Sequence, residues 1–186
     1  MVRTHCAWKQ TRILGTGLAV LFASLLMTTG VAQAAGFSTG VYYTNASVDG
    51  GDTLSLGAAS AAVGYSFDFG GDLSLVPEVR FGIGLQDDTI TILGNQITTE
   101  ISDMTAVSLR VEYDTNVGVY YFAQPTWLDV GLDVTSTNFG TLSASSSEVG
   151  FGIGAGLEIS QGWSIELGYE AIDDTDFISV GLRLRP

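Results

Sequence analysis

The sequence predicts an all-β chain folded as one eight-stranded antiparallel up-and-down barrel that spans a membrane with its strands. Three observations predict this fold. Apolar residues recur at every second position in eight segments, short turns alternate with long polar connections, and every arginine beyond residue 34 lies on the polar face of a segment. Alternation at two is the spacing of a strand with unlike faces. Short turns at one end and long loops at the other are typical of transmembrane barrels.

The first 34 residues stand apart from this pattern. Three basic residues precede the apolar run 13–27, and Ala32-Gln33-Ala34 closes a segment of small residues. This order is typical of a cleaved secretory signal. The alternative, a membrane anchor, is disfavoured because about 15 apolar residues are fewer than a spanning helix needs. We therefore expect a signal at 1–34 and a barrel domain at 35–186.

The composition of residues 35–186 excludes several functions. Twenty acidic residues stand against four arginines, a net charge of −16, and lysine, histidine and cysteine are all absent. Nucleic acid is excluded as a partner because phosphate binding needs basic patches. Catalysis by a Ser-His or Asp-His constellation is excluded because there is no histidine. We expect a protein that is not an enzyme and that holds no cofactor and no metal ion at a catalytic site.

The first four predicted strands establish the alternation. The strand at 37–46 is the weakest, and those at 59–68 and 105–114 alternate apolar residues with small or charged ones. The third, 73–85, sets Val79 and Phe81 against Glu78 and Arg80, which is the pattern of a strand with one apolar face. A short link, 70–72, joins the second strand to the third.

The last four strands include a stretch that imitates a nucleotide-binding motif. The fifth, 118–134, changes phase near Gln124-Pro125, where we expect a bulge. The sixth, 149–160, matches the pattern G-x-G-x-x-G/A from Gly150 to Ala155. A dinucleotide site must open a helix there, but the alternation runs on to a turn at 161–162. We interpret the glycines as one face of a strand, followed by strands at 163–171 and 177–185.

Long polar connections are predicted at 86–103 and 135–147, the latter with a serine-rich loop at 142–147. Acidic residues concentrate in the loops, and no basic residue lies among them. Carboxylates are the ligands that Ca²⁺ and Mg²⁺ prefer, so some of these residues are candidates for divalent-cation binding; a solvated surface is the alternative. The candidates are Asp87, Asp88, Asp173, Asp174 and Asp176.

The charged residues decide which face of the barrel points outward. Arginine without lysine, set among carboxylates and glycines, suits paired contacts in a confined space. A lumen of eight strands is only wide enough for side chains to fill. The alternative is a soluble barrel with an apolar lumen. We predict an ion-pair network in the lumen, joined by Asp129 and Asp133 on the same face and formed by Glu78, Arg80, Arg110, Glu112, Glu158, Glu166, Glu170, Arg183 and Arg185.

Aromatic residues near the strand ends are predicted to form girdles at the membrane interfaces. They are Tyr43, Tyr65, Tyr113, Tyr120, Tyr121, Trp127, Trp163 and Tyr169.

The end of the chain, WSIELGYEAIDDTDFISVGLRLRP (163–186), resembles the final hairpin of small OmpA-like, porin-family outer-membrane β-barrels of Gram-negative bacteria. Family members usually end on an aromatic residue with another two positions earlier, where this chain has Pro186 and Leu184. The resemblance implies a monomer in the cell outer membrane, in contact with outer-membrane lipids and lipopolysaccharide and assembled by the barrel-assembly machinery.

The function expected from these observations is a structural envelope or surface-contact (adhesin-like) role, with the interior plugged by the Arg/Glu network. The alternatives are a narrow porin-like channel, or a secreted soluble barrel that binds an apolar ligand.

Overall fold

Nearly every residue that the computed structural model describes lies in a β-strand; these residues are 36–48, 54–92, 95–115, 117–136 and 140–185. The predicted signal at 1–34 lies outside them. The described part of the chain contains no helix that is long and apolar enough to cross a membrane. The strands are β1 (Phe37–Val48), β2 (Leu54–Tyr65), β3 (Phe67–Asp68), β4 (Leu73–Gln86), β5 (Asp88–Ile92), β6 (Asn95–Asp114), β7 (Val119–Ser136), β8 (Gly140–Ser160), β9 (Trp163–Ile172) and β10 (Thr175–Leu184).

These strands close into a barrel of eight antiparallel staves. The short β3 and β5 continue β2 and β4 after one-residue breaks, and each adds no stave of its own. Each stave pairs with its neighbour in the chain, and β1 pairs with both β2 and β10, which closes the cylinder. Closure leaves no stave with an unpaired edge, as a lipid environment requires. The predicted fold class is confirmed.

The exterior of the barrel is apolar and its interior is polar. On β9 the residues alternate strictly between exposed and buried; Leu167 is 60% exposed and its neighbour Glu166 only 1%. A soluble protein rarely exposes so continuous an apolar surface. The alternative of a soluble barrel with an apolar ligand in its lumen is therefore wrong. The predicted girdle residues are on the exterior, except Tyr120, which is fully buried in the lumen.

Four staves, those of β4–β5, β6, β7 and β8, continue well beyond the others at the loop end of the barrel, the end opposite the short turns that follow β3, β6 and β8. The ten residues of β9 rise about 33 Å along the strand, enough to cross a membrane at the usual tilt. In contrast, β6, β7 and β8 have 20, 18 and 21 residues. With β5 they form a projecting sheet, comprising 88–92, 95–103, 129–136 and 140–149. Most of the connections predicted at 86–103 and 135–147 are therefore strand, and the serine-rich 142–147 lies within β8.

The bulge expected at Gln124-Pro125 is not found along β7, where all of 119–136 pairs with β8 in one unbroken register. Pro125 points outward, and the ladder to β6 lacks pairs at this point because proline has no N–H to donate. The true irregularity on this side is in β6, between Ile101 and Asp103.

Because the phase of β7 does not change, two aspartates predicted in the lumen lie on the outer face instead. Asp129 accepts a hydrogen bond from Ser147 and Asp133 one from Ser143. Both belong to the projecting sheet.

Substitution of a lipid-facing residue tests where the membrane lies. We expect Leu167→Arg, at the middle of β9, to destabilise the barrel by about 2–4 kcal/mol because a cation at mid-bilayer depth loses its hydration. The matched change Leu142→Arg, on a residue of the projecting sheet that is 71% exposed, should cost less than about 0.5 kcal/mol. Urea unfolding in lipid vesicles measures both. Equal costs for the two variants would contradict this placement of the membrane.

Candidate functional site: the lumen

The lumen is organised around the carboxylate of Glu166, which points inward from β9. Arg110 of β6 donates a hydrogen bond to it from each terminal nitrogen, one of them at 3.0 Å. Tyr42 and Tyr120 each donate a hydroxyl hydrogen bond to it, that of Tyr42 at 2.8 Å. Both oxygens of this carboxylate, which is 1% exposed, are thus occupied. A buried charge held by an arginine fork and two hydroxyls meets the requirements for a stable ion in a place with little water.

Three further arginines pair with carboxylates around this centre. Nη2 of Arg80 lies 3.0 and 2.8 Å from the two oxygens of Glu170. Arg183 pairs with Glu78 and also donates to Ser38 at 2.7 Å. Every one of these pairs joins strands that are far apart in the sequence, so the ion pairs tie the staves across the lumen.

Arg185 lies at the rim of the turn end, where it is the most exposed of the four arginines. It forms a bidentate pair with Asp114 at 2.9 and 2.8 Å and reaches Glu112 at 3.0 Å. Glu112 also lies 2.6 Å from Nε of Arg110. The rim is thereby linked to the centre.

The structure brings eight of the nine predicted network residues together, and four arginines stand against four glutamates. We call this set the lumen network: Glu78, Arg80, Arg110, Glu112, Glu166, Glu170, Arg183 and Arg185. The ninth, Glu158, has the inward parity of β8, but it lies exposed at the turn end and forms no ion pair among the described residues. Without Glu158, the four glutamates of the lumen network balance its four arginines.

Several residues that the sequence analysis did not place in the network complete the site. The guanidinium carbon of Arg110 lies 3.5 Å from the ring centre of Phe122, and that of Arg185 lies 3.8 Å from the ring of Tyr120. Gln124 and Thr126 donate to Glu170 at 2.9 and 2.8 Å. All four lie on the inward face of β7. Their shared even parity is the signal that could have found them.

The glycines of β8 leave the space that these side chains occupy. A Cβ atom at Gly156 would overlap the ring of Tyr120, and one at Gly154 would overlap the ring of Phe122. The inward side chains of β7 therefore pack against the glycine positions of β8, which carry no side chain. This confirms that Gly150–Gly156 is one face of a strand in a narrow barrel.

The lumen changes character at the loop end, where its inward residues become apolar. Six strands contribute to this loop-end cluster, and all its members are at most 8% exposed: Ala46, Leu56, Ala58, Ile101, Met104, Ala106, Leu128, Ile172 and Phe177. The sequence of β7 suggests a change of phase because the inward residues of this strand become apolar here. Leu128 is the first inward residue of β7 to join the cluster.

The turn end of the lumen is open. A cavity of about 360 Å³ is lined there by residues that include Ser38, Ser74, Glu112, Arg183 and Arg185. A second cavity, of about 10 Å³, lies between Tyr42, Gln124 and residues of the lumen network that include Arg80. The open end, the network and the loop-end cluster thus follow one another along the axis.

The acidic residues proposed as cation ligands are not brought together. Asp88 accepts hydrogen bonds from the backbone of Ser55 and Thr89, while Asp176 accepts one from Tyr169 on the β9–β10 hairpin. Asp173 and Asp174 form the tight turn of that hairpin. No group of three or more potential metal ligands occurs in the part of the chain that the structure describes.

An exterior that is apolar, a closed antiparallel wall and a filled polar lumen define an integral outer-membrane β-barrel protein. The chain belongs to the family described as outer membrane protein beta-barrel domain, which matches residues 16–183. Its location is the cell outer membrane, as the family and the structural neighbours indicate. The predicted resemblance is confirmed.

Two solved structures share the fold at low sequence identity. The attachment invasion locus protein Ail of Yersinia pestis has a TM-score of 0.55 and 14% identity, over 79% of this chain and 94% of that chain. Neisserial surface protein A has a TM-score of 0.58 and 12% identity, over 81% of this chain and 97% of that chain. No curated protein matches the sequence.

Proposed function

We propose that this protein is a non-conducting barrel that anchors a surface-contact structure in the outer membrane, with its interior plugged by the Arg/Glu network. The observation that carries the proposal is the filled lumen: three arginines and four glutamates with side chains at most 7% exposed are paired across it. A porin keeps a water-filled passage, whereas here paired side chains occupy the lumen between its open turn end and the loop-end cluster.

The projecting sheet supports the surface-contact part of the proposal. Strands that extend about ten residues beyond the membrane serve no purpose in spanning it, but they hold a rigid surface away from the lipid. Two structural neighbours are named as an attachment protein and a surface protein, and a role in adhesion is proposed here on the same lines. Catalysis is not part of the proposal, because residues 35–186 contain no histidine or cysteine.

The charge of the projecting sheet indicates which charge the partner surface carries. One structure of Ail holds a heparin analogue, sucrose octasulfate, but no basic residue lies between 81 and 109 or between 111 and 182 of this chain. The only charged side chains that a sulfated sugar would meet on the projecting sheet are carboxylates, and like charges repel. We therefore favour a partner surface that is basic.

Two measurements test the proposal. In planar bilayers the refolded protein should show no steady conductance, and a stable open channel would favour the porin-like alternative. Cells displaying the protein should adhere to a polylysine-coated surface more than to a heparin-coated one. A variant that neutralises four carboxylates of the projecting sheet, Glu100→Gln, Asp129→Asn, Asp133→Asn and Glu148→Gln, should lose this difference while keeping heat-modifiable migration on gels. A preference for polylysine that survives the neutralisation would contradict the role of the sheet.

A further inference from the structure

The lumen of this barrel contains two barriers of different chemistry in series. Along β9, the inward residues run from Ser164 through Glu166 and Glu170 to Ile172. Along β10 they run from Arg183 through Ser179 to Phe177. On both strands the polar residues belong to the turn end and the apolar residue to the loop end. In the pairing of the two strands the boundary is offset by one inward position, because Phe177 of β10 lies opposite Glu170 of β9.

The loop-end cluster is built by apolar side chains that reach inward from most of the barrel wall. Six of the eight staves place an apolar side chain in it. The other two, β4 and β8, present Gly82 and Gly150 at this height, and these are covered by Met104 and Ile172 respectively, because a Cβ at either glycine would collide with the covering side chain. The members of the cluster have no polar side-chain atom that could replace the water around an ion. The buried hydroxyls of Thr44, opposite Ala58, and of Ser60, beside Gly82, border the cluster on its network side.

The polar part of the lumen, in contrast, has access to water from the turn end. The cavity of about 360 Å³ opens there and has the buried residues Glu112 and Arg183 at its floor. Deeper in, Nε of Arg80 and Oε1 of Gln124 are buried without a hydrogen-bond partner in the protein. Both residues border the cavity of about 10 Å³, roughly the room that one water molecule needs. A water molecule there would accept from Arg80 and donate to Gln124.

We propose that the loop-end cluster is the barrier to ion permeation, and that the lumen network is hydrated from the turn end, which faces the periplasm in barrels of this kind. This inference rests on the proposed non-conducting function and assigns it to particular residues. An ion that reaches the network meets polar side chains. At the cluster it would lose its hydrating water without gaining a polar ligand from the cluster, as in apolar constrictions that block channels.

Substitutions at the two barriers distinguish them. In planar bilayers, the triple variant Leu56→Ser, Met104→Ser and Phe177→Ser should open small conductance steps, while the apolar control Met104→Leu with Phe177→Leu stays closed. The network variant Arg110→Met with Glu166→Gln should also stay closed because its loop-end cluster is intact. A network variant that conducts, or a serine variant that folds and stays closed, would overturn the assignment. Steady conductance by the unaltered protein would instead sink the proposed function.

A second measurement leaves both barriers in place, so it does not depend on how the triple variant folds. Cys6 is the only cysteine of the chain, and Ser108 is the first inward residue of β6 on the network side of Ala106. In a Cys6→Ser background, Ser108→Cys should react with silver ions from the turn side more than about tenfold faster than from the loop side of oriented proteoliposomes. Equal rates from both sides would overturn the proposal.

Discussion

Gly156→Leu should prevent this barrel from assembling, or destabilise it by about 3 kcal/mol or more, because overpacking a filled interior forces side chains out of their rotamers. Any Cβ at this position overlaps the ring of Tyr120. The ring is unable to move aside, since its hydroxyl is bonded to Glu166 and Ser164 and its face lies against Arg185. The heat-modifiable gel band, followed through a urea titration in vesicles, measures the loss.

The control for this prediction is the neighbouring residue on the same strand. Ala155 has the opposite parity, so Ala155→Leu directs the same added volume into lipid, and we expect a change of less than about 0.5 kcal/mol. A result in which the two substitutions cost the same would contradict the description of β8 as a strand with one crowded face and one lipid face. A tolerated Gly156→Leu would mean that the lumen is not packed.

The strands that cross only the membrane could be predicted from the sequence. On β9, every second residue meets lipid and every other residue meets the polar lumen, so parity alone assigns each face. The same holds for 177–183 of β10 and for 149–157 of β8, whereas Leu184 has the outward parity and is buried. One environment on each side produces one unbroken alternation, and a period of two is then sufficient.

The sequence predicts less where a strand passes from one environment to another. Beyond Trp127, the outer face of β7 leaves the lipid and becomes polar at Asp129, while its inner face enters the loop-end cluster at Leu128. The outer face becomes polar where the inner face becomes apolar. In the sequence this looks the same as a shift of the alternation by one residue. The projecting part of β8 has exposed residues on both faces, so its serines are typical of a loop.

The members of the lumen network could be predicted, but their pairing could not. Arg110 and Glu166 are 56 positions apart, and Arg183 and Glu78 are 105 apart, so contact depends on the stagger of strands around the barrel. Glu158 has the inward parity, but it lies exposed at the turn end of β8 and not in the buried part of the lumen. Tyr42 was missed because a tyrosine on a strand with weak alternation is not distinguishable from a girdle residue until its face is known.

Glu166→Gln should destabilise the barrel by about 3–5 kcal/mol, the cost of stranding a buried charge. The change keeps the shape of the side chain and removes only its charge, so Arg110 retains Glu112 as its sole close carboxylate and the network carries one cation in excess. Because the site is shielded from bulk solvent, the loss should vary little with ionic strength. Urea titrations in vesicles at two salt concentrations measure both effects.

Removing the partner arginine as well should recover part of this loss. Arg110→Met with Glu166→Gln leaves three arginines paired with three glutamates, because Glu112 retains Arg185 at 3.0 Å. The double variant should therefore be more stable than Glu166→Gln alone, and a double-mutant cycle gives the coupling energy. Glu158→Gln, which removes the exposed carboxylate of the same inward parity, is the control and should change stability by less than about 0.5 kcal/mol. If the double variant is as unstable as the sum of its single changes, the two residues are independent. Charge balance would then not be what holds the staves together across the lumen.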